Sequence, residues 1–356
     1  MALMKEIDDS EIDEVVSFHN ASYGDERTSK QWIWEYRSNY PNLSVFTVLR
    51  ADNKIVGSQG MIPIYLDIKG QTCLSGKSEN SLLDPKYRGG DRFKKLYDLA
   101  MSLCQARKMS CVWGFTSATR VWKDKLGFSV YEDAIYRSVL ILSPREFVSS
   151  ILHRKNIIDD IGRTIGAVFF YLYSWRGFVY RQLKKSRIAI SIRQKPDSTN
   201  DVDELHQRLL SKHSDFIHIK QDEKYISWRV FNNPNVKYAT FFGYHENVLK
   251  AYCYVAMTSR KEAYLSDLTF EDYEAGNILL RTILDFCKGK IVVMYFIGNV
   301  KNPLSNTVFD LLKKNGFIKS SYSPFVLKNL SYDDEKYLYD MKNWYINGLW
   351  TEGYLL

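Results

Sequence analysis

Asp84-Pro85-Lys86-Tyr87-Arg88-Gly89-Gly90-Asp91-Arg92-Phe93-Lys94-Lys95 gathers two glycines and five cations into twelve residues. An apolar pair, Leu82-Leu83, precedes it, and Leu96, Leu99, Ala100 and Leu103 follow at helical spacing. The pattern predicts a strand, a basic glycine turn and a helix. Such a turn leaves backbone N–H groups at a helix start, where they hold a phosphate. Gly89 and Gly90 let the backbone approach the anion with no Cβ in the way. Arg88, Arg92, Lys94 and Lys95 add positive potential. Glu79 sits on the strand just upstream. Cys104 falls on the inner helix face with Leu96, Leu99 and Leu103, and is read as a small buried apolar group.

These groups need a scaffold. Lys125-Leu126-Gly127-Phe128 reads as a helix end closed by glycine that re-enters a strand. Before the basic turn, a short strand near Leu3–Ile7 leads into a helix capped by Ser10. Runs at Ser44–Arg50 and Lys54–Ile64, joined by Ala51-Asp52-Asn53, predict a hairpin.

The same order recurs. Glu223-Lys224-Tyr225-Ile226-Ser227-Trp228-Arg229 repeats the flavour of Ser29–Arg37, and strand-like runs at Lys237–Tyr244 and Val248–Thr258 follow. Asp84 precedes Cys104 by twenty residues, as Asp267 precedes Cys287. Leu312-Lys313-Lys314-Asn315-Gly316-Phe317 mirrors Lys123–Phe128. An offset this long means two copies of a domain rather than a solenoid. Where the first copy has its basic turn, the second reads Phe270-Glu271-Asp272-Tyr273-Glu274-Ala275-Gly276, whose carboxylates repel a phosphate. Trp228, Arg229, Asn232 and Asn233 are polar-aromatic, with Trp228 expected to anchor in a core.

The strand, glycine turn and Leu-Gly-Phe signal resemble the coenzyme A site of the GNAT N-acyltransferase superfamily. The likeness covers Met1 to about Leu142 and is carried by Leu82–Phe128. It implies an α+β fold of three layers: two GNAT-like domains, each a mixed, mostly antiparallel sheet flanked by helices. It implies an acyl-CoA co-substrate, acetyl-CoA or another, held by Leu82, Leu83, Arg88, Gly89, Gly90, Arg92, Phe93 and Lys94. In that family the central strand splays from its neighbour to admit the pantetheine arm; Ser78–Leu83 would be that strand. Asp91 stands at the family's last small turn position. Glu79 is the candidate base. The family's usual acid position falls on Lys123, and Tyr131 and Tyr136, on the strands after Phe128, are the candidates in its stead, with Tyr131 taken first. The expected reaction is acyl transfer to a primary amine, with an amino sugar or cell-envelope polysaccharide precursor as acceptor. Rival readings are an aminoacyl-tRNA-dependent transferase of the Fem type and a non-catalytic GNAT-fold binding module. Some tandem members place a C-terminal carboxylate in the active site, which here would be that of Leu356.

Bulk properties bound the remainder. The chain has 356 residues and 45% hydrophobic content, enough for two cores. Its five cysteines are odd in number and lack CxxC spacing, so neither a disulfide framework nor a metal site is expected. The acidic N-terminus is unlike a signal peptide, and no run of eighteen uncharged apolar residues occurs. A cytoplasmic location is expected, peripheral at an inner membrane face if the basic segment binds there. Between Arg145 and Lys195 stand eleven basic and three acidic residues, which accounts for the whole formal charge of +8. That segment reads as an amphipathic linker helix, fit for packing on a domain or for contact with anionic lipid. A charge so local argues against a specific nucleic-acid partner. The expected boundaries are 1–144 for the catalytic domain, 145–195 for the linker, and 196–356 for a degenerate domain with a docked C-terminal tail.

Overall fold

The computed structural model describes residues 3–24, 26–154, 189–198, 200–212 and 216–351. The apolar stretch 161–175 and Leu356 lie outside the described residues, and with them the membrane and C-terminal carboxylate expectations. Among the described residues no helix is long and apolar enough to cross a membrane, and no cluster of His, Cys, Asp and Glu is arranged to hold a metal.

The chain folds into two packed units. The first comprises Met1–Glu132, Ile217–Asn235 and Ser323–Asn343. The second comprises Asp133–Phe216, Val236–Tyr322 and Trp344–Leu356. This corrects the continuous boundaries expected at 144 and 196.

The first unit is built on β1 (Leu3–Glu6), β2 (Val45–Ala51), β3 (Lys54–Ile68), β4 (Gln71–Leu83), β5 (Cys111–Phe115) and β6 (Ser129–Tyr131). The second holds β7 (Ile135–Ile141), β8 (Ser191–Arg193), β10 (Lys237–His245), β11 (Val248–Met257), β12 (Glu262–Phe270), β13 (Val293–Asn299) and β14 (Ile318–Ser321), while β9 (His218–Ile219) and β15 (Phe325–Asn329) return to the first. The sheet orders are β1-β2-β3-β4-β5-β15-β6, with β9 on β3, and β14-β7-β13-β12-β11-β10-β8. Each half of the sequence therefore lends a strand to the other sheet: β15 lies between β5 and β6, and β7 between β13 and β14. Pairing is antiparallel except at β4–β5 and β12–β13.

The duplication is visible in the hairpins. Asp52-Asn53 and Glu246-Asn247 turn with the same pair of positive φ angles, 50° and 61°, as tight β-hairpin turns require. Helices α1 (Ile12–Tyr23) and α2 (Ser29–Tyr36) precede the first hairpin. The cap before α1 is Asp8 rather than Ser10: it forms a capping box with Glu11 over a short 3-10 turn. Helix α3 (Arg92–Ala106) buries Leu96, Tyr97, Ala100, Met101 and Cys104, a stripe at helical spacing that packs on Val45, Met61, Val112 and Val326. Burial pushes the Cys104 thiol up to about 12, so it packs and does not react. Next come α4 (Pro144–Arg154), α5 (Asp201–Lys212), α6 (Glu223–Ile226), α7 (Tyr273–Cys287), α8 (Pro303–Lys314) and α9 (Glu335–Tyr339). Helices α7 and α8 cover one face of the second sheet through Leu279, Leu280, Ile283, Val308 and Leu312.

Candidate functional site

Strand β4 organises the site. It pairs with β5 only from Ser75–Cys111 to Lys77–Trp113, although β4 runs on to Leu83 and β5 to Phe115. The strands part at Ser78 and Gly114, where a Cβ on Gly114 would come 3.3 Å from the Ser78 carbonyl oxygen. On its other edge β4 carries a bulge: Gly60 faces Glu79 and Ser58 faces Leu82, and Asn80 takes a left-handed φ of 51°. A bulge adds twist and re-aims side chains. Beyond Lys77–Trp113 β4 therefore runs on without β5 as a partner, a gap in the pairing of the kind the sequence resemblance implied for Ser78–Leu83.

Side-chain alternation sends the two residues at the gap to opposite faces. Ser78 turns toward α3, where its Oγ accepts a hydrogen bond from Tyr97 (3.0 Å) and from Gln59 Nε2 (3.0 Å). Glu79 turns toward α2. On that side it ion-pairs with buried Lys77, beside a second buried pair, Arg27–Glu35. Burial raises the Glu35 carboxyl, Arg27 opposes that rise, and Glu79 reinforces it. Two carboxylates and two cations thus share one dry environment, in which each charge is held by its partner. Asn80 donates from Nδ2 to the Tyr36 hydroxyl.

Between β4 and α3 run eight residues, Asp84–Asp91. Asp84 accepts from the Lys86 N–H (2.8 Å). Arg88 Nε donates to the Leu83 carbonyl (3.1 Å), and the Tyr87 hydroxyl donates to Asp52 (3.0 Å). These bonds tie the turn to the strand end and to the β2–β3 turn. Gly89 and Gly90 have φ of 104° and 57°, which L side chains rarely adopt. Asp91 occupies the cap position of α3 but makes no side-chain cap bond. Glycine backbone therefore leads into an α3 start left without a carboxylate cap, as an anion cradle requires. Arg88 and Arg92 border this turn. Lys94 pairs with Asp98 one turn along, and Phe93 packs partly into the core. Leu82 and Leu83 are buried at the strand end.

Tyr131 stands elsewhere. It ends β6 opposite Phe325, which pairs in turn with Phe115. Three strand spacings, roughly 14 Å, separate it from β4. Its hydroxyl donates to the Tyr339 carbonyl (2.8 Å), and burial pushes it up to about 12. The structure does not bring Tyr131 to Glu79, which corrects the expectation that it serves as proton donor. Lys123 is exposed in a π-helical turn. Trp228 is buried against Trp34 (ring centroids 5.3 Å apart), an anchor rather than a sugar contact. The sequence reading missed Tyr97, Gln59, Lys77 and Glu35. Only Tyr97 had a signal there, as an aromatic one position after Leu96 on the inner stripe of α3.

The second unit departs from this plan. Only Glu271 and Asp272 separate β12 from α7, so the glycine turn is missing altogether. The Asp272 carboxylate caps α7 through the Ala275 N–H (2.8 Å). Glu271 receives Arg208 (3.0 Å), Lys212 (2.6 Å) and Lys250 (3.0 Å). Partial burial alone would raise its carboxyl, but the three cations outweigh this and hold it at about 2. The sequence landmark that matched Asp267 to Asp84 also shifts: β12 pairs with β13 as far as Leu265–Phe296, which sets Ser266-Asp267 against Ser78-Glu79.

Residues 4–130 match the family model of the acetyltransferase (GNAT) domain. Among solved structures, a probable N-acyltransferase from Enterococcus faecalis V583 matches with a TM-score of 0.62 at 9% identity, covering 93% of this chain and 73% of that one. A GCN5-related N-acetyltransferase from Anabaena variabilis matches at 0.60 and 11%, covering 92% and 73%. A tandem GNAT protein from the clavulanic acid biosynthesis pathway matches at 0.57 and 12%, covering 94% of this chain and 100% of that one. At these identities the likeness is one of fold. No curated protein matches the chain.

Proposed function

We propose that this chain, a GNAT acetyltransferase domain at residues 4–130 within a tandem GNAT fold, transfers an acetyl or other short acyl group from acyl-CoA to a primary amine. The observation that carries this reading is the parting of β4 from β5 directly beyond Lys77–Trp113, on the strand that leads into the glycine turn. The freed edge of β4 offers backbone partners to a pantetheine arm. The Gly89-Gly90 backbone and the start of α3 receive the pyrophosphate, with Arg88 and Arg92 adding charge.

In the reaction the amine nitrogen attacks the thioester carbonyl, a C–N bond forms and the C–S bond breaks. Glu79 takes the proton from nitrogen, and a backbone N–H at the gap holds the developing oxyanion. The departing thiolate has a pKa near that of a cysteine, about 8.5, so it leaves without a dedicated acid. Glu79 shares its face of the sheet with the aromatic row Phe115–Phe325–Tyr131. Phe325 is buried, but Phe115 and Tyr131 are part-exposed on either side of it, and these two rings support an acceptor with an apolar or saccharide face, such as an amino sugar or a cell-envelope precursor.

The test is a calorimetric titration with acetyl-CoA, followed by an amine panel. Micromolar binding that is lost in Arg88→Glu, together with thiol release on adding an amine, is the expected result. No binding to acetyl-CoA or free coenzyme A would leave a GNAT-fold binding module instead.

A further inference from the structure

The gap between β4 and β5 has a counterpart in the second unit. There β12 and β13 pair in parallel from Glu262–Val293 to Leu265–Phe296 and then part, leaving Ser266–Phe270 and Ile297–Asn299 without each other. Residues Trp344–Thr351 lie against both strands. Asn299 Nδ2 donates to the Trp344 carbonyl (2.8 Å). The Tyr345 hydroxyl shares a hydrogen with Thr269 Oγ1 (2.8 Å), and Thr269 also donates to Asp267 (2.8 Å). Gly348 rests directly on the first unpaired residue of β12: a Cβ there would fall 2.8 Å from Ser266 Cα and 3.0 Å from its carbonyl oxygen. Asn347 caps the following turn at the Leu349 N–H (3.0 Å). Trp344, Tyr345, Ile346, Leu349 and Trp350 are all buried.

We infer that residues 344–351 are a built-in occupant of the second unit's donor slot, filling by peptide the space that the first unit leaves for a pantetheine arm. Gly348 is required because backbone must meet backbone at Ser266, as a slender ligand would. The Asp272 carboxylate completes the substitution at the other end of the slot, occupying the helix start that a phosphate would take. The second unit is thereby closed to acyl-CoA, and the protein takes one acyl-CoA per chain. That stoichiometry rests on the function proposed above; the seating of the tail does not.

The test uses the full chain with Gly348→Ala, read by thermal melting and by hydrogen exchange. The Cβ must push the tail off Ser266. The expected result is a melting temperature lower by about 4 °C or more and at least tenfold faster exchange in Ser266–Phe270 and Ile297–Asn299. Exchange in β2–β4 should be unchanged. Tyr345→Phe, which removes only the hydroxyl on Thr269, gives the same regional pattern at smaller amplitude and serves if the first variant does not fold. Unchanged exchange in Ser266–Phe270 in a folded variant overturns the inference, as does calorimetric binding of two acetyl-CoA per wild-type chain. If wild type binds no acetyl-CoA, the proposed reaction fails and the exchange result alone decides the tail.

Discussion

Trp34 and Trp228 donate their indole N–H groups to each other's backbone carbonyls, at 3.2 and 3.0 Å, with their rings stacked. The two residues belong to the repeated segments Ser29–Arg37 and Glu223–Arg229. The reciprocal bonds make the duplication a physical contact inside the first unit. Replacing Trp228 with Phe keeps most of the stacking and leaves one buried carbonyl without its donor. The expected loss is about 1 kcal/mol, read as a lower urea midpoint with an unchanged slope. Replacing it with Ala also opens a cavity and should cost about 3–5 kcal/mol.

Gly89→Val tests the turn. Space is not the obstacle, since nothing lies within 4 Å of a Cβ there. The obstacle is the φ of 104°, and holding a branched residue in it costs on the order of 1–3 kcal/mol. The chain relieves this by changing the turn, so acetyl-CoA affinity should fall at least tenfold while the melting temperature moves little. Wild-type affinity in a folded Gly89→Val chain would remove the turn from the donor site.

Glu79→Gln should lower kcat by roughly 10²–10³-fold, with KM for acetyl-CoA little changed. It also strands the buried Lys77 ammonium, at about 3–5 kcal/mol of stability. The double variant Lys77→Met/Glu79→Gln should regain most of that stability and none of the activity. Recovery of turnover in the double variant would show that Glu79 acts only structurally. Tyr131→Phe, by contrast, should retain kcat within a few-fold, because its hydroxyl is committed to the Tyr339 carbonyl.

Glu271 sets an acid limit on stability. Its folded pKa of about 2 lies below the unfolded value. Its contribution is therefore complete above about pH 5 and is lost as pH falls through about 2. Glu271→Gln should cost about 1–2 kcal/mol at pH 7, after allowing for the solvent that reaches Lys212. The difference from wild type should shrink steadily below pH 4. A pH-independent difference would mean the three cations do not act through the carboxylate.

Residues 1–144 and 196–356 should each fail to fold alone. Without β15, strand β5 exposes an unpaired edge beside Trp113 and Phe115; without β7, β13 does the same. Coexpression of two chains that together span the protein should restore solubility of both. A soluble, cooperatively melting fragment 1–144 would contradict the exchange of strands.

Much of the site was legible from local order. Gly89 and Gly90 declare positive φ because few other residues tolerate it. Asp52-Asn53 and Glu246-Asn247 declare hairpins, and the stripe through Leu96, Ala100 and Cys104 declares a helix face. Each depends on neighbours in the chain, so residue type and spacing suffice. Even the parting of β4 was reachable through the family resemblance of the strand and its turn. The exchange of β7 and β15 was not, because an apolar strand fits any sheet edge of suitable register, and only closure of both cores selects the partner. Tyr131 looked available because its bond to the Tyr339 carbonyl joins residues some 200 positions apart. Lys77 and Glu35 were invisible for the same reason: their charges matter only once burial removes water and sets them beside Glu79. The aromatic tail announced that it would dock. Its seat on Ser266 was decided by where two strands stop pairing, which no local pattern encodes.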